Sequence, residues 1–250
     1  MKNGSAMQET LKNNGGMAAF LMSILAFIRY NAQQTFANKF IYFLLGAIGL
    51  LLLILIISAA VMETPPGPES VYYYLLAPGV LLIFYPTVFS LQQDADSGML
   101  ETLFGIPNYR YKVWLVRNAV GYLVMAVMLF FLASFCRIAV ADFSIIKMVF
   151  QLLFPIVLIG SVAFMLSTLT KSGNATAVLM VLFILFFWIA AEPLEGSRWN
   201  LFHNPFTEMG LFDTILWEET TLYNRIYIIV GSVIALMFGM LRLQKREKLI

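Results

Sequence analysis

The sequence predicts an all-α fold that crosses a membrane six times, and three observations predict it. Residues of the set AVILMFWYC make up 60% of the 250, and DEKR only 12%, about half the charged share of a typical soluble domain. At 28.2 kDa the interior is too small to hide so much apolar side chain, because folded surface still grows steeply with mass. The apolar residues also fall in runs of ~20, the length of a spanning helix, without the period-two alternation of barrel strands. Only helices and closed barrels can cross lipid. The single cysteine, Cys136, excludes a disulfide scaffold, and the hydrophobicity excludes disorder. A net charge of +2 gives no reason to expect nucleic acid as a partner. Residues 1–250 read as one transmembrane domain whose surroundings are membrane lipid.

Taken in order, Met17–Ile28 has only Ser23 as a polar residue and is too short to span. No small-x-small cleavage site follows it, as a signal peptide requires. The stretch Arg29–Lys39 mixes Gln33, Gln34, Asn38 and Lys39 with Phe36. Residues 17–39 therefore predict an interfacial helix, with a tilted or re-entrant segment as the alternative. The six spans are Phe40–Met62, Val71–Leu91, the run between Arg117 and Arg137, Met148–Thr170, Gly173–Ala191 and Ile226–Leu241. The last is short, and Leu222 and Tyr223 extend it if Arg225 snorkels outward. Pro78 and Pro86 fall in the second span and Pro155 in the fourth. Each removes a helix hydrogen bond, either to shape the helix for packing or to hinge it.

Orientation follows from the basic residues. Of sixteen Lys and Arg, twelve lie on the side of the termini and four, Arg137, Lys147, Arg198 and Arg225, on the other. The positive-inside rule puts both termini in the cytoplasm of a cell inner or plasma membrane.

In so apolar a chain the polar segments are where function is to be sought. The external segment 192–224 carries Trp199, Phe202, Phe206, Leu211, Phe212, Ile215 and Trp217 among acids. This mixture suits short amphipathic helices at the outer interface, as an aromatic belt or as a lid over an exit. The cytoplasmic segment 92–112 is the most distinctive. Asp94, Asp96 and Ser97 can cap a helix whose free N–H groups favour acids. Met99, Leu100, Leu103 and Phe104 recur at helical spacing, and Gly105 and Pro107 stop the helix. Arg110, Lys112 and Arg117 mark the return to the membrane. A solvated connector has no need of four large apolar residues in two turns; docking into a partner explains them.

This segment resembles the signature of permease subunits of type-two ABC exporters, which move drugs, lipids and polysaccharides. The matching elements are the paired acids Asp94 and Asp96, then Gly98, Leu100, Glu101, the apolar pair Leu103 and Phe104, Pro107, Arg110 and Arg117. The family usually has Glu at the paired acids, Thr where Met99 stands and Lys where Arg117 stands, so charge is kept at the acids and the base. The interfacial helix, the six spans, the Asn204-Pro205-Phe206 segment and the basic tail extend the resemblance over nearly the whole chain. The resemblance implies that 92–112 is a coupling helix seated in a groove of a separate ATP-binding subunit. It further implies two permease chains, identical or related, with the transport path between them. The chain itself would bind no cofactor, with ATP and Mg held by the partner. Consistently, the sequence has no Gly-x-x-x-x-Gly-Lys loop.

Two rival classes fare worse. An intramembrane enzyme needs clustered His, Asp or Glu within the spans, and the only histidine, His203, lies in the external segment. Cys136 has no histidine beside it in sequence and reads as a buried, inert thiol. An ATP-independent carrier or channel usually places ionisable groups at mid-bilayer; here the span interiors offer Gln151, Ser161, Ser167 and Asn174 instead. Serines of this kind bond to their own helix. A membrane assembly scaffold would share the same topology. An uncharged path fits an apolar or amphipathic substrate.

Overall fold

The computed structural model describes residues 40–61, 65–89, 91–92, 96, 114–207 and 214–243. Among these residues there is no strand, and six helices form the fold: α1 (Phe40–Val61), α2 (Pro68–Val88), α3 (Val116–Ala139), α4 (Ile145–Thr170), α5 (Gly173–Ala191) and α6 (Thr214–Arg242). Each is long and apolar enough to cross a bilayer. The protein is thus a polytopic α-helical membrane protein. The expected interfacial helix over 17–39 lies outside the described residues.

The helix ends follow local chemistry. Pro68 opens α2, where its missing N–H costs nothing. The Ser144 and Ser172 hydroxyls accept from the N–H groups of Lys147 and Ala175 and so cap α4 and α5. Lys171 closes α4 in the left-handed conformation, with φ 59°, and its N–H donates to the Ser167 carbonyl. The three prolines sit inside unbroken helices and are buried, so their freed carbonyls are shielded from lipid by neighbouring helices. Ser161 and Ser167 donate to the carbonyls of Val157 and Phe164 in their own helix, as anticipated. Cys136 is buried.

α2 and α4 form the centre. The most apolar stretch of α2 is 67% buried and that of α5 only 11%, which decides which helices are core and which are flank. α2, α4 and α6 run in the same direction. Gly79 faces Ile156 and Ile83 faces Gly160 across the α2–α4 contact, while Gly231 meets Leu158 and Gly239 meets Phe164 across α4–α6. A methyl group at Gly79 would come within 2.7 Å of Ile156 Cδ1, and one at Gly160 within 2.9 Å of the Tyr122 ring. Absent side chains let these backbones approach, which is how helices pack where lipid removes the hydrophobic drive. α1 runs opposite to α2 and touches it through the stripe Ala47, Leu51 and Ser58. The Ser58 hydroxyl lies 2.6 Å from that of Tyr74. The outer faces of α1 and α5 are left to lipid or to another chain.

One boundary departs from expectation. α6 begins at Thr214 rather than Ile226, so the segment 192–224, expected to lie outside, is helical over its last part. At 29 residues the helix is about 44 Å long, well beyond a hydrocarbon core of ~30 Å. Its first turns are polar because they rise out of the bilayer. Hydropathy alone therefore misses them.

Candidate functional site

Polar side chains gather at the two ends of the bundle. At the end opposite the 192–207 loop, the structure describes two of the residues singled out in the 92–112 region and its return. Asp96 is helical and exposed, and its carboxylate accepts from the Gln92 amide at 3.5 Å. Arg117 lies in the first turn of α3, where it is buried rather than free at the surface. Its guanidinium sits 5.5 Å from the centre of the Trp114 ring, an attractive cation–π geometry. Trp114 in turn packs on Phe164 of α4. Asp94, Gly98, Leu100, Glu101, Leu103, Phe104, Pro107 and Arg110 lie outside the described residues.

Gln92, which sequence reasoning passed over, is the informative residue here. Its carboxamide oxygen accepts from the Gly173 N–H at 2.6 Å, at the first turn of α5 where backbone donors have no partner within the helix. A methyl group on Gly173 would lie 2.5 Å from the Phe89 ring and 2.6 Å from that oxygen, so only glycine allows the approach. The start of the 92–112 segment is thereby joined to α5 as well as to α2.

At the loop end, residues 192–207 are turns folded down onto the bundle, where amphipathic helices had been expected. Asn224 of α6 donates to the carbonyls of Asn200 (2.7 Å) and Arg198 (3.0 Å). Asn204 donates to the Glu69 carbonyl at the start of α2 and accepts from the Phe206 N–H. His203 Nε2 is 2.7 Å from the Thr221 hydroxyl, with its ring against Trp217. Trp199 stacks flat on Tyr227 with centroids 4.5 Å apart.

Arg225 joins these parts. It does not snorkel outward: it is 5% exposed. Its Nε donates to Gln151 of α4 at 2.8 Å, Nη1 to Asn224 at 2.9 Å and Nη2 to the His203 carbonyl at 3.2 Å. The guanidinium also lies over the Phe154 ring. Neutral acceptors hold the cation in place because the extended α6 carries it under the loop, away from water. Burial, and secondarily the Arg225 charge, lower the His203 pKa from its ordinary 6.5 to about 4, so the ring is neutral at physiological pH.

No three His, Cys, Asp or Glu side chains converge as a metal site among the described residues. Comparison with known protein families, curated proteins and solved structures finds no match.

Proposed function

We propose that this chain is the transmembrane subunit of an ATP-binding-cassette exporter of the type-two class. It moves an apolar or amphipathic substrate by alternating access, driven by a separate ATP-binding subunit. The observation that carries the reading is the 92–112 segment, with paired acids, apolar anchors at helical spacing and a Gly/Pro stop between two membrane helices. Three features of the fold support it. The segment leaves the central helix α2, its first residues are bonded to α5, and α1 and α5 have apolar faces on which a second permease chain could seat. In this reading both termini are cytoplasmic, the membrane is the cell's inner or plasma membrane, and ATP and Mg belong to the partner.

The ATP-independent carrier or channel is the second reading, and buried Arg225 is the observation in its favour, since an intramembrane ion marks function by default. All three of its described hydrogen bonds, however, fasten the loop and helices to one another, which is a structural use of the charge.

The test is pull-down of a candidate ATP-binding subunit by this chain. Truncating a buried interface anchor costs roughly 2 kcal/mol or more, whereas a rim charge costs less. Leu103→Ala and Phe104→Ala therefore weaken capture more than Asp94→Asn, with membrane insertion normal in all three. Glu101→Gln leaves the complex assembled and lowers transport per ATP consumed. Wild-type binding and transport in all four variants would reduce the segment to a connector and overturn the reading.

A further inference from the structure

A cleft of about 280 Å³ opens between α4 and α6, lined by Phe150, Phe154, Val157, Ile229, Val233 and Leu236 among others. No polar atom faces it. Ser232, on its wall, turns its hydroxyl to the Ile228 carbonyl of its own helix. Lys147, Phe150, Phe154 and Val157 fall at helical spacing along one face of α4, so Lys147 stands at the loop-end mouth of the cleft. It is exposed, and the ion pair among the described residues is Arg137–Asp142, which leaves Lys147 without an acidic partner.

Gln151 lies one turn further in. Its oxygen is held by Arg225, which turns its NH₂ group away from the guanidinium and leaves that group as a donor. Arg225 itself has only neutral acceptors among the described residues. The mouth thus carries an exposed lysine that makes no ion pair among the described residues, above a purely apolar slot, with Glu218 and Glu219 further out on the first turns of α6.

We infer that this cleft holds one acyl chain of an anionic membrane phospholipid, with its headgroup at Lys147 and Gln151. Length supports that occupant. The apolar lining runs from Phe150 to Val157 on α4 and from Ile228 to Leu236 on α6, a rise of about 10–12 Å, which fits within the ~15 Å depth of one leaflet. A helix of another chain is the competing occupant, and the slot-filling variants below separate the two. The site is independent of the ATPase reading, since it uses no residue of the 92–112 segment.

The experiment uses the full chain in phosphatidylcholine vesicles, with a trace of phosphatidylglycerol or phosphatidylcholine spin-labelled near the end of one tail. Electron paramagnetic resonance reads the motionally restricted fraction of each probe. The expected result is a preference of about fivefold for phosphatidylglycerol, the scale of one basic residue acting on an anionic lipid. Lys147→Gln brings the ratio close to one, and Lys147→Arg keeps it. Filling the slot with Ile229→Trp or, separately, Val233→Phe lowers the restricted fraction of both probes, with helical content unchanged. A preference that survives Lys147→Gln overturns the inference. So does an unchanged restricted fraction in both slot-filling variants, or a fall in oligomer mass in those variants without loss of bound lipid, which would make the cleft a contact between protein chains.

Discussion

At the loop end, Asn224, Asn204, His203 and Arg225 tie α2, α4 and α6 to the 192–207 turns through bonds that join residues far apart in sequence. At the opposite end, the residues just after α2 reach α5 through the Gln92 carboxamide, and those just before α3 reach α4 through the Trp114 and Phe164 rings. The first end is braced by a dense network of buried polar groups. Among the described residues the second shows fewer links: Gln92 to Gly173, Thr170 to Thr176 between α4 and α5, and the Trp114–Phe164 ring contact. A buried network is rigid because each member is costly to strand. The difference marks the loop end as the braced end of the described bundle.

The largest expected effect tests the braced end. Asn224→Leu removes the donor to two loop carbonyls and the acceptor of one Arg225 arm. Stranding a buried polar group costs ~1–3 kcal/mol, so the variant should lose about 4 kcal/mol in all. Thermal unfolding in detergent measures the loss, and trypsin should cut earlier at Arg198 as the turns lift. A variant as stable and as protease-resistant as wild type would remove the contrast between the two ends.

The next effect sharpens the comparison through pH. His203 takes its proton near pH 4 when folded and near 6.5 when unfolded. Between those values the unfolded chain holds the extra proton, so stability falls as pH falls from 6.5 to 4 and levels off below. The full shift corresponds to ~3 kcal/mol. His203→Gln keeps a donor for Thr221 and should flatten that part of the profile. Melting temperatures of both proteins across the window give the answer, and parallel curves would show that His203 does not bear on the brace.

Much of this contrast was hidden in the sequence, for reasons that differ by residue. The six spans were legible because ~20 apolar residues in a row have few other uses. Arg225 misled because a lone arginine at the edge of an apolar run ordinarily reaches for water. Its acceptors come from positions 151, 203 and 224, and no local pattern links them. A cue did exist: Asn200, His203, Asn204 and Asn224 are concentrated in a chain poor in such groups, and all four prove buried. Arg117 was read as marking the return to the membrane; that it lies buried in the first turn of α3 beside Trp114 needed the fold. The Gly79 and Gly160 contacts were unreadable, since close approach depends on which helices meet. Gln92 lay in plain text at the head of the segment, and the acids after it drew the attention that its bond to Gly173 warrants.

The smallest expected effect bears on that bond. Gln92→Ala removes the acceptor of the Gly173 N–H and the donor to Asp96. A single neutral hydrogen bond is worth ~1 kcal/mol net, so the melting temperature should move less than in either loop-end variant. Gln92→Glu separates the two halves of the link. A carboxylate still accepts from Gly173, and more strongly, because it faces the positive end of α5; yet it cannot donate to Asp96 and repels it. Gly173→Ala is a poorer probe, because its methyl group would press on Phe89 and Gln92 together. Hydrogen exchange over the first turn of α5 distinguishes the cases: faster than wild type in Gln92→Ala and as slow or slower in Gln92→Glu. Under the exporter reading proposed above, if the link also carries movement from the acidic segment to α5, Gln92→Ala lowers transport per ATP hydrolysed while leaving capture of the proposed ATP-binding subunit intact. Unchanged exchange in Gln92→Ala would mean that the Ser172 cap and the Thr170–Thr176 bond hold the start of α5 without Gln92, and the Gln92 bond would then be no lever on α5.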